Sequence, residues 1–364
     1  MAIDDAAEFD RRRMRREELK YKRDKERKRI IIGLVIAAVV LVAAAVLIAV
    51  LTRKPKPEPQ PQPTDTWPTG ETVPATTEET QPPAVETEPP RRKQDTVIHF
   101  VAAGDLNVNA LTVEAGGAAY DFSKTFRDVL PVLSSADLTA LNFEGNLIGV
   151  PYGTETVSAP QKMMEALADA GVDLIQMANS KAIVNGTIGL GTTLDNIRAA
   201  GMEPVGAYAS NSEFKKSGGY IIRNVQGIKV AIVAFTKGMD GMALPAGSEN
   251  CVNLLYEDYA TTYQDVDVKG ISKILKAVSK QKPDITIALL HWGSEYNDNL
   301  NDTQDDILDL MFEYGVDAVI GTHPHYVQKI EYNETKGTLV AYSLGDFFSD
   351  AQKAGTEYSI VLDL

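Results

Sequence analysis

From Ile30 to Thr52 the chain carries no charge and nearly every residue is apolar. A helix rising 1.5 Å per residue crosses a hydrocarbon core of ~30 Å in about 20 residues, and a helix satisfies its own backbone there, so this run predicts a transmembrane helix. The pattern changes at Arg53. Residues 53–95 hold eleven of the 18 prolines, mixed with Thr, Glu and Gln and almost no large aliphatics. Such a stretch cannot bury enough apolar surface to offset chain entropy and predicts an extended linker with a reach on the order of 100 Å. From residue 96 to 364, short apolar runs of strand length alternate with amphipathic stretches of helical period, which predicts an α/β domain.

The residues that end each apolar run are informative. Val97–Ala103 leads into Gly104-Asp105, Leu138–Phe143 into Glu144, and Val172–Ala178 into Asn179. Ile285–Leu290 leads into His291-Trp292-Gly293, Val316–Ile320 into His323-Pro324-His325, and Leu339–Leu344 into Gly345-Asp346. In open α/β sheets, sites form at the carboxyl ends of strands. Three of the four histidines stand at such ends, with an Asp, a Glu and an Asn. An oxygen and nitrogen set without thiolate suits Mn, Fe or Zn, and two such ions sharing a carboxylate form a clamp for phosphoryl or related hydrolysis. Taken singly, Asp105, Glu144 and Asn179 also fit turn or helix-cap roles. His99 reads as a structural residue within a strand and Trp292 as core or wall.

Charge sharpens the topology. Residues 1–29 carry twelve Lys or Arg against eight Asp or Glu, and the basic residues crowd toward Arg29. A basic flank before the apolar run predicts a cytoplasmic N-terminal segment and an extracellular domain after the linker. A cleaved signal peptide is the competing reading, but Arg53-Lys54 follows the run with no small-residue cleavage site between. The net charge of −14 divides as +4, −2 and −16 over residues 1–29, 53–95 and 96–364. That excludes a generally basic nucleic-acid binder, and the domain should repel polyanions at long range unless a local cation intervenes. Cys251 is the single cysteine, so no intramolecular disulfide and no Cys-rich zinc module is expected.

With these residues in view, segment 97–364 resembles the CapA-type capsule-synthesis family associated with poly-γ-glutamate, itself similar in fold to calcineurin-like metallophosphoesterases. Six blocks occur in order: Gly104-Asp105; Asn142-Phe143-Glu144; Ala178-Asn179-Ser180-Lys181-Ala182-Ile183-Val184-Asn185-Gly186; His291-Trp292-Gly293-Ser294-Glu295-Tyr296; Gly321-Thr322-His323-Pro324-His325; and Tyr342-Ser343-Leu344-Gly345-Asp346-Phe347. The resemblance implies a four-layer α-β-β-α sandwich and a divalent metal centre, binuclear in the related enzymes. Its implied ligands are Asp105, Glu144, Asn179, His291, His323 and His325, with Glu295 and Asp346 in the pocket. It also implies a single-pass membrane anchor, with capsule-polymer synthase subunits and an anionic polymer as partners.

The third block departs from the family pattern. Ser180 replaces Asn, Lys181 replaces His and Val184 replaces Asp, while in the last block Asp346 replaces Asn. The family His assists the leaving group in the related phosphoesterases. A lysine offers donors only and is a poor general acid near neutrality. The expectation is therefore an anchored capsule-assembly protein with reduced or absent hydrolase activity. The alternatives are an active extracellular metal-dependent phosphoesterase or hydrolase, with Lys181 and His291 at its centre, and a non-catalytic surface binding domain.

Overall fold

The computed structural model of the protein describes residues 96–350 and 353–364. The segments assigned above to 1–29, 30–52 and 53–95 lie outside the described residues. Among the described residues no helix is long and apolar enough to cross a membrane.

The strands are β1 (Phe100–Asn107), β2 (Leu138–Glu144), β3 (Leu174–Gln176), β4 (Glu203–Val205), β5 (Ile221–Val225), β6 (Ile228–Thr236), β7 (Ile285–His291), β8 (Ala318–Thr322), β9 (Ile330–Asn333), β10 (Thr338–Ala341), β11 (Asp346–Phe348) and β12 (Leu362–Asp363). The helices are α1 (Ala110–Glu114), α2 (Leu130–Leu133), α3 (Gln161–Asp169), α4 (Gly186–Ala199), α5 (Asn211–Ser217), α6 (Val268–Lys280) and α7 (Asp302–Glu313). They build two mixed sheets. The first runs β11-β1-β2-β3-β4, with β12 also paired to β1; the second runs β5-β6-β7-β8-β10-β9. The interior pairs are parallel, and the antiparallel pairs are β1 with β12, β5 with β6 and β9 with β10.

The side-chain period of two sorts the second sheet between two cores. Val230, Ile232 and Ala234 of β6 join the core that contains the first sheet, while Ala231, Val233 and Phe235 join the core that contains α6 and α7. Ile287 and Leu289 against Ala288 and Leu290 divide β7 the same way. The two sheets therefore pack through one shared core. Helix α6 buries Ile271, Ile274, Leu275 and Val278, one face at helical spacing, and Asp267 caps its start by accepting from Gly270 N–H at 2.8 Å. Helix α7 opens on a capping box between Asn301 and Gln304. Helices α3 and α4 bury Met163, Met164, Leu167, Leu190, Leu194 and Ile197 in the core of the first sheet.

Each of the six apolar runs read from the sequence overlaps a strand. His99 is corrected: it precedes β1, because pairing begins at Phe100, and it is exposed. Its N–H donates to Asp137 Oδ2 at 2.8 Å and its Nδ1 lies 3.1 Å from Asp363 Oδ1. Trp292 is fully buried, and its indole N–H donates to Tyr342 O at 2.9 Å.

One close approach fixes the geometry of the site. A Cβ on Gly104 would lie 1.9 Å from Gly345 O, where Asp105 N–H already donates at 3.0 Å. Only a glycine lets the two chain segments meet there, and that meeting sets Asp105 beside Asp346 in the register of β1 and β11. Gly104→Ala is expected to lower unfolding stability by about 3 kcal/mol, since the clash is with backbone that cannot rotate away. The check is a lower urea midpoint at unchanged slope; an unaltered midpoint would show that the approach is not tight.

Candidate metal centre

Strand register delivers the residues of the cluster. β1 and β2 pair Asp105 with Asn142 and Asn107 with Glu144. On β7, His291 is the last residue and pairs with Thr236 of β6 and Thr322 of β8, directly before His323. His323 and His325 both take positive φ, 95° and 60°, which is strained for residues with a Cβ. Asp105 Oδ2 holds the first by accepting His323 N–H at 3.0 Å. The second is held through its ring: His325 Nδ1 lies 2.7 Å from Asp346 Oδ1, which also accepts from Asn107 at 2.9 Å.

The result is two adjoining groups of three. Glu144, His291 and His323 form one; Asp105, His325 and Asp346 form the other. Within each, the atoms able to bind an ion lie within 4.8 Å of one another. All but Asp346 are buried. Asn142 links the groups: its amide nitrogen donates to Asp105 Oδ1 at 2.6 Å and sits 3.4 Å from His291 Nδ1. Ser180 Oγ lies 2.9 Å from His291 Nε2. If that nitrogen carries the proton, the Nδ1 lone pair is left facing Glu144 Oε1 at 3.8 Å.

The residues present fit a divalent cation. Glu144 Oε1 and both ring nitrogens of His323 are buried without a hydrogen-bond partner among the described residues, an arrangement folding does not leave without cause. Burial pushes the Glu144 carboxyl up to about 8, with Asp105 adding to the effect. Burial likewise raises Asp105 to about 6, against the pull of His325. It drives His291 and His323 well below the usual imidazole range, helped by neighbouring imidazoles and by Lys237 and Lys181. His325 goes the other way: despite burial, Asp346, Asp105 and Glu144 hold it up to about 10. Two acids are thus reluctant to ionise beside two imidazoles held neutral. A dication reverses the first preference and requires the second.

The model of the family described as bacterial capsule synthesis protein PGA_cap matches residues 99–351, most of the chain and all of this cluster. The chain belongs to the PGA_cap family. It is similar to the capsule biosynthesis protein CapA of Bacillus anthracis, with 26% identity over 72% of this chain and 62% of that one. It is also similar to the PGA biosynthesis protein CapA of Bacillus subtilis, with 30% identity over 62% and 56%. The match therefore spans less than two thirds of either relative. Two solved structures align with a TM-score of 0.41 each. They are a hypothetical protein of Thermus thermophilus, with 16% identity over 70% of this chain and 78% of that one, and a novel phosphatase of Mycoplasma pneumoniae, with 17% identity over 68% and 72%.

In this PGA_cap member the remaining residues named from the sequence take other places. Asn179 is buried beneath the cluster. Its amide nitrogen donates to Asn142 Oδ1, Phe143 O and Gln176 O, and its Oδ1 accepts from Lys181 N–H at 3.0 Å. One lone pair of that oxygen is left for an ion. Lys181 reaches the rim, where Nζ lies 2.6 Å from Asp240 Oδ2. Two clefts lead to the cluster. One of about 250 Å³ is lined by Ser180, Lys237, Asp240 and His323, and one of about 560 Å³ by Glu144, Lys181, His325 and Asp346; Glu295 lines both.

Sequence reasoning missed Asn107, Asn142, Lys237 and Asp240 as parts of the site. The first two had a signal in the strand period, since each stands two residues from a named acid and so shares its face. Lys237 and Asp240 follow β6, an apolar run as clear as the others.

Proposed function

We propose that this PGA_cap protein is anchored in the cell membrane by residues 30–52, with residues 53–95 as tether. It presents the domain outside the cell, where it acts in synthesis or export of a capsule polymer of the poly-γ-glutamate type. Hydrolase activity is reduced or absent. The single observation that carries the reading is the coexistence of a six-residue cluster, which includes five of the six implied ligands, with a lysine, already paired to Asp240, in the place of the family's proton-transfer imidazole. The two packed sheets with their helices support the four-layer α-β-β-α order that the family resemblance implies.

Glu144, His291 and His323 would hold one divalent ion, and Asp105, His325 and Asp346 a second, with Mn, Fe or Zn suited to the donor set and Asn179 in reach. Bound there, such ions supply Lewis acidity toward a phosphoryl or acyl oxygen. The chain's own groups do the rest. Asn142 ties the two halves of the cluster together, and Ser180 fixes the orientation of the His291 ring. Lys181 offers positive charge but, with its pKa raised by Asp240 and Glu144 against the effect of burial, gives up no proton near neutrality. A domain at −16 meets an anionic polymer only through local cations, which fits a role in handling it with synthase subunits as partners rather than in tight storage.

The test is elemental analysis of the purified full-length protein, followed by turnover of an aryl phosphate with Mn or Zn. Bound metal with negligible turnover is expected, and Lys181→His combined with Val184→Asp should raise turnover by about tenfold or more. Robust parental turnover lost in His291→Ala would instead identify an active hydrolase. Absence of metal would leave a surface binding domain.

A further inference from the structure

Two cations outside the cluster reach its rim. Lys181 lies in the loop after β3 and Lys237 directly after β6. Each already has a partner. Lys181 Nζ is 2.6 Å from Asp240 Oδ2; Lys237 Nζ donates to Gly293 O at 2.8 Å and sits 4.5 Å above the ring of Tyr263. Lys237 shares a cleft with His323, and Lys181 shares one with Glu144, His325 and Asp346, so both border the centre.

Asp240 is held in an unusual way. Its φ is 49°, in the left-handed region, on a short loop secured by Thr236, whose hydroxyl donates to Gly238 O at 2.9 Å and accepts Gly238 N–H at 3.2 Å. That turn places a carboxylate in the cleft beside His323, next to a cluster that already contains three carboxyl groups. Asp240 and Lys237 line the smaller cleft, and Lys181 lines the larger. The Lys181–Asp240 pair therefore stands where the two clefts meet. Its side chains are 30% and 42% exposed, so a dissolved anion can reach the pair. An incoming anion must displace Asp240 from Lys181 to take its place.

We propose that Asp240 is an internal stand-in for an oxyanion of the substrate, and that Lys181 and Lys237 form the subsite that recognises that group. The stand-in defines the chemistry: a carboxylate, or the more highly charged phosphate, on an arm that enters along either cleft. When the group arrives, Asp240 releases Lys181 and the two clefts become continuous. The inference rests on the reading of the adjoining cluster as the reaction centre for where the rest of the substrate lies. Anion recognition by the two lysines needs no metal.

The experiment is calorimetric titration of the chelator-treated full-length protein with inorganic phosphate and, separately, with glutarate, at low ionic strength. Asp240→Asn should tighten binding about tenfold, and Lys181→Met or Lys237→Met should weaken it about tenfold. In the Lys181→Met background the gain from Asp240→Asn should vanish, because the acid competes through that lysine. Glu165→Gln removes one charge from the exposed face of α3, outside the lining of either cleft, and should change affinity by less than about threefold. A preference for glutarate identifies a carboxylate substrate group and a preference for phosphate a phosphorylated one; either supports the subsite. The proposal is overturned if neither anion binds, if Asp240→Asn does no more than Glu165→Gln, or if its gain persists without Lys181. Metal content of the same preparations separates the two readings. Lysine-dependent anion binding in a protein that takes no metal rejects the metal centre and keeps the subsite; metal uptake with anion affinity indifferent to both lysines does the reverse.

Discussion

Replacing His323 by glycine is expected to remove one equivalent of bound divalent metal, weakening binding at the Glu144 group by about 100-fold or more. Both ring nitrogens of His323 are buried without partners among the described residues, and the ring centroid lies 4.5 Å from that of His291. Glycine is the informative replacement. The residue has φ of 95°, which alanine would adopt only under strain, and glycine keeps the N–H that Asp105 accepts. The metal-free variant should therefore unfold within about 1 kcal/mol of the parent, since the lost imidazole makes no hydrogen bond through its ring. Plasma mass spectrometry gives the stoichiometry, and melting with and without Mn or Zn gives the affinity. A variant that keeps full occupancy at parental affinity would show that His323 is not a ligand.

The second large effect runs the opposite way. In chelator, Glu144→Gln is expected to stabilise the protein at pH 8. The Glu144 carboxyl is raised from its ordinary 4.5 to about 8 by burial and by Asp105. Between those values the folded protein keeps a proton that the unfolded chain has released. Stability from this residue is therefore full below pH 4.5 and is lost as pH rises toward 8. The loss is on the order of 3 kcal/mol at neutral pH. Glutamine carries no such proton, so the variant's advantage should grow from nothing near pH 4.5 to a few kcal/mol at pH 8. His291 and His323, held below their ordinary range, lower stability on acidification instead, and do so in both proteins. Urea denaturation at pH 5 and pH 8 isolates the difference. Added metal should reverse the ranking, because the parent gains the ion and the variant loses a ligand. Equal stability at pH 8 would mean that Glu144 is not held in a buried, uncompensated state.

Much of this site was legible because a parallel sheet places the residue after each strand at one rim. Asp105, Glu144, His291, His323, His325 and Asp346 are scattered over more than two hundred positions, yet each follows or ends an apolar run, and the structure brings all six into two adjoining groups. Asn179 was placed in the right neighbourhood, but the pattern could not show that its amide would be spent bracing Asn142. The sheet order was not readable, since apolar alternation is the same whichever neighbour a strand takes. Lys237 and Asp240 were missed because attention to strands ending in ligands passed over β6, whose following residues belong to no metal set. His99 shows the opposite limit: an apolar run states that a strand exists, not where its first hydrogen bond falls.

The first sheet is completed from a distance. Its strand β1, at residues 100–107, receives β11 and β12 from residues 346–363, after the chain has built the whole of the second sheet. The contact from His323 N–H to Asp105 alone spans 218 residues. No partial product of synthesis short of Asp346 can therefore hold both groups of three. Any ion that the complete cluster takes is therefore taken late, since a chain still emerging has no place for it until almost all of it is free to fold.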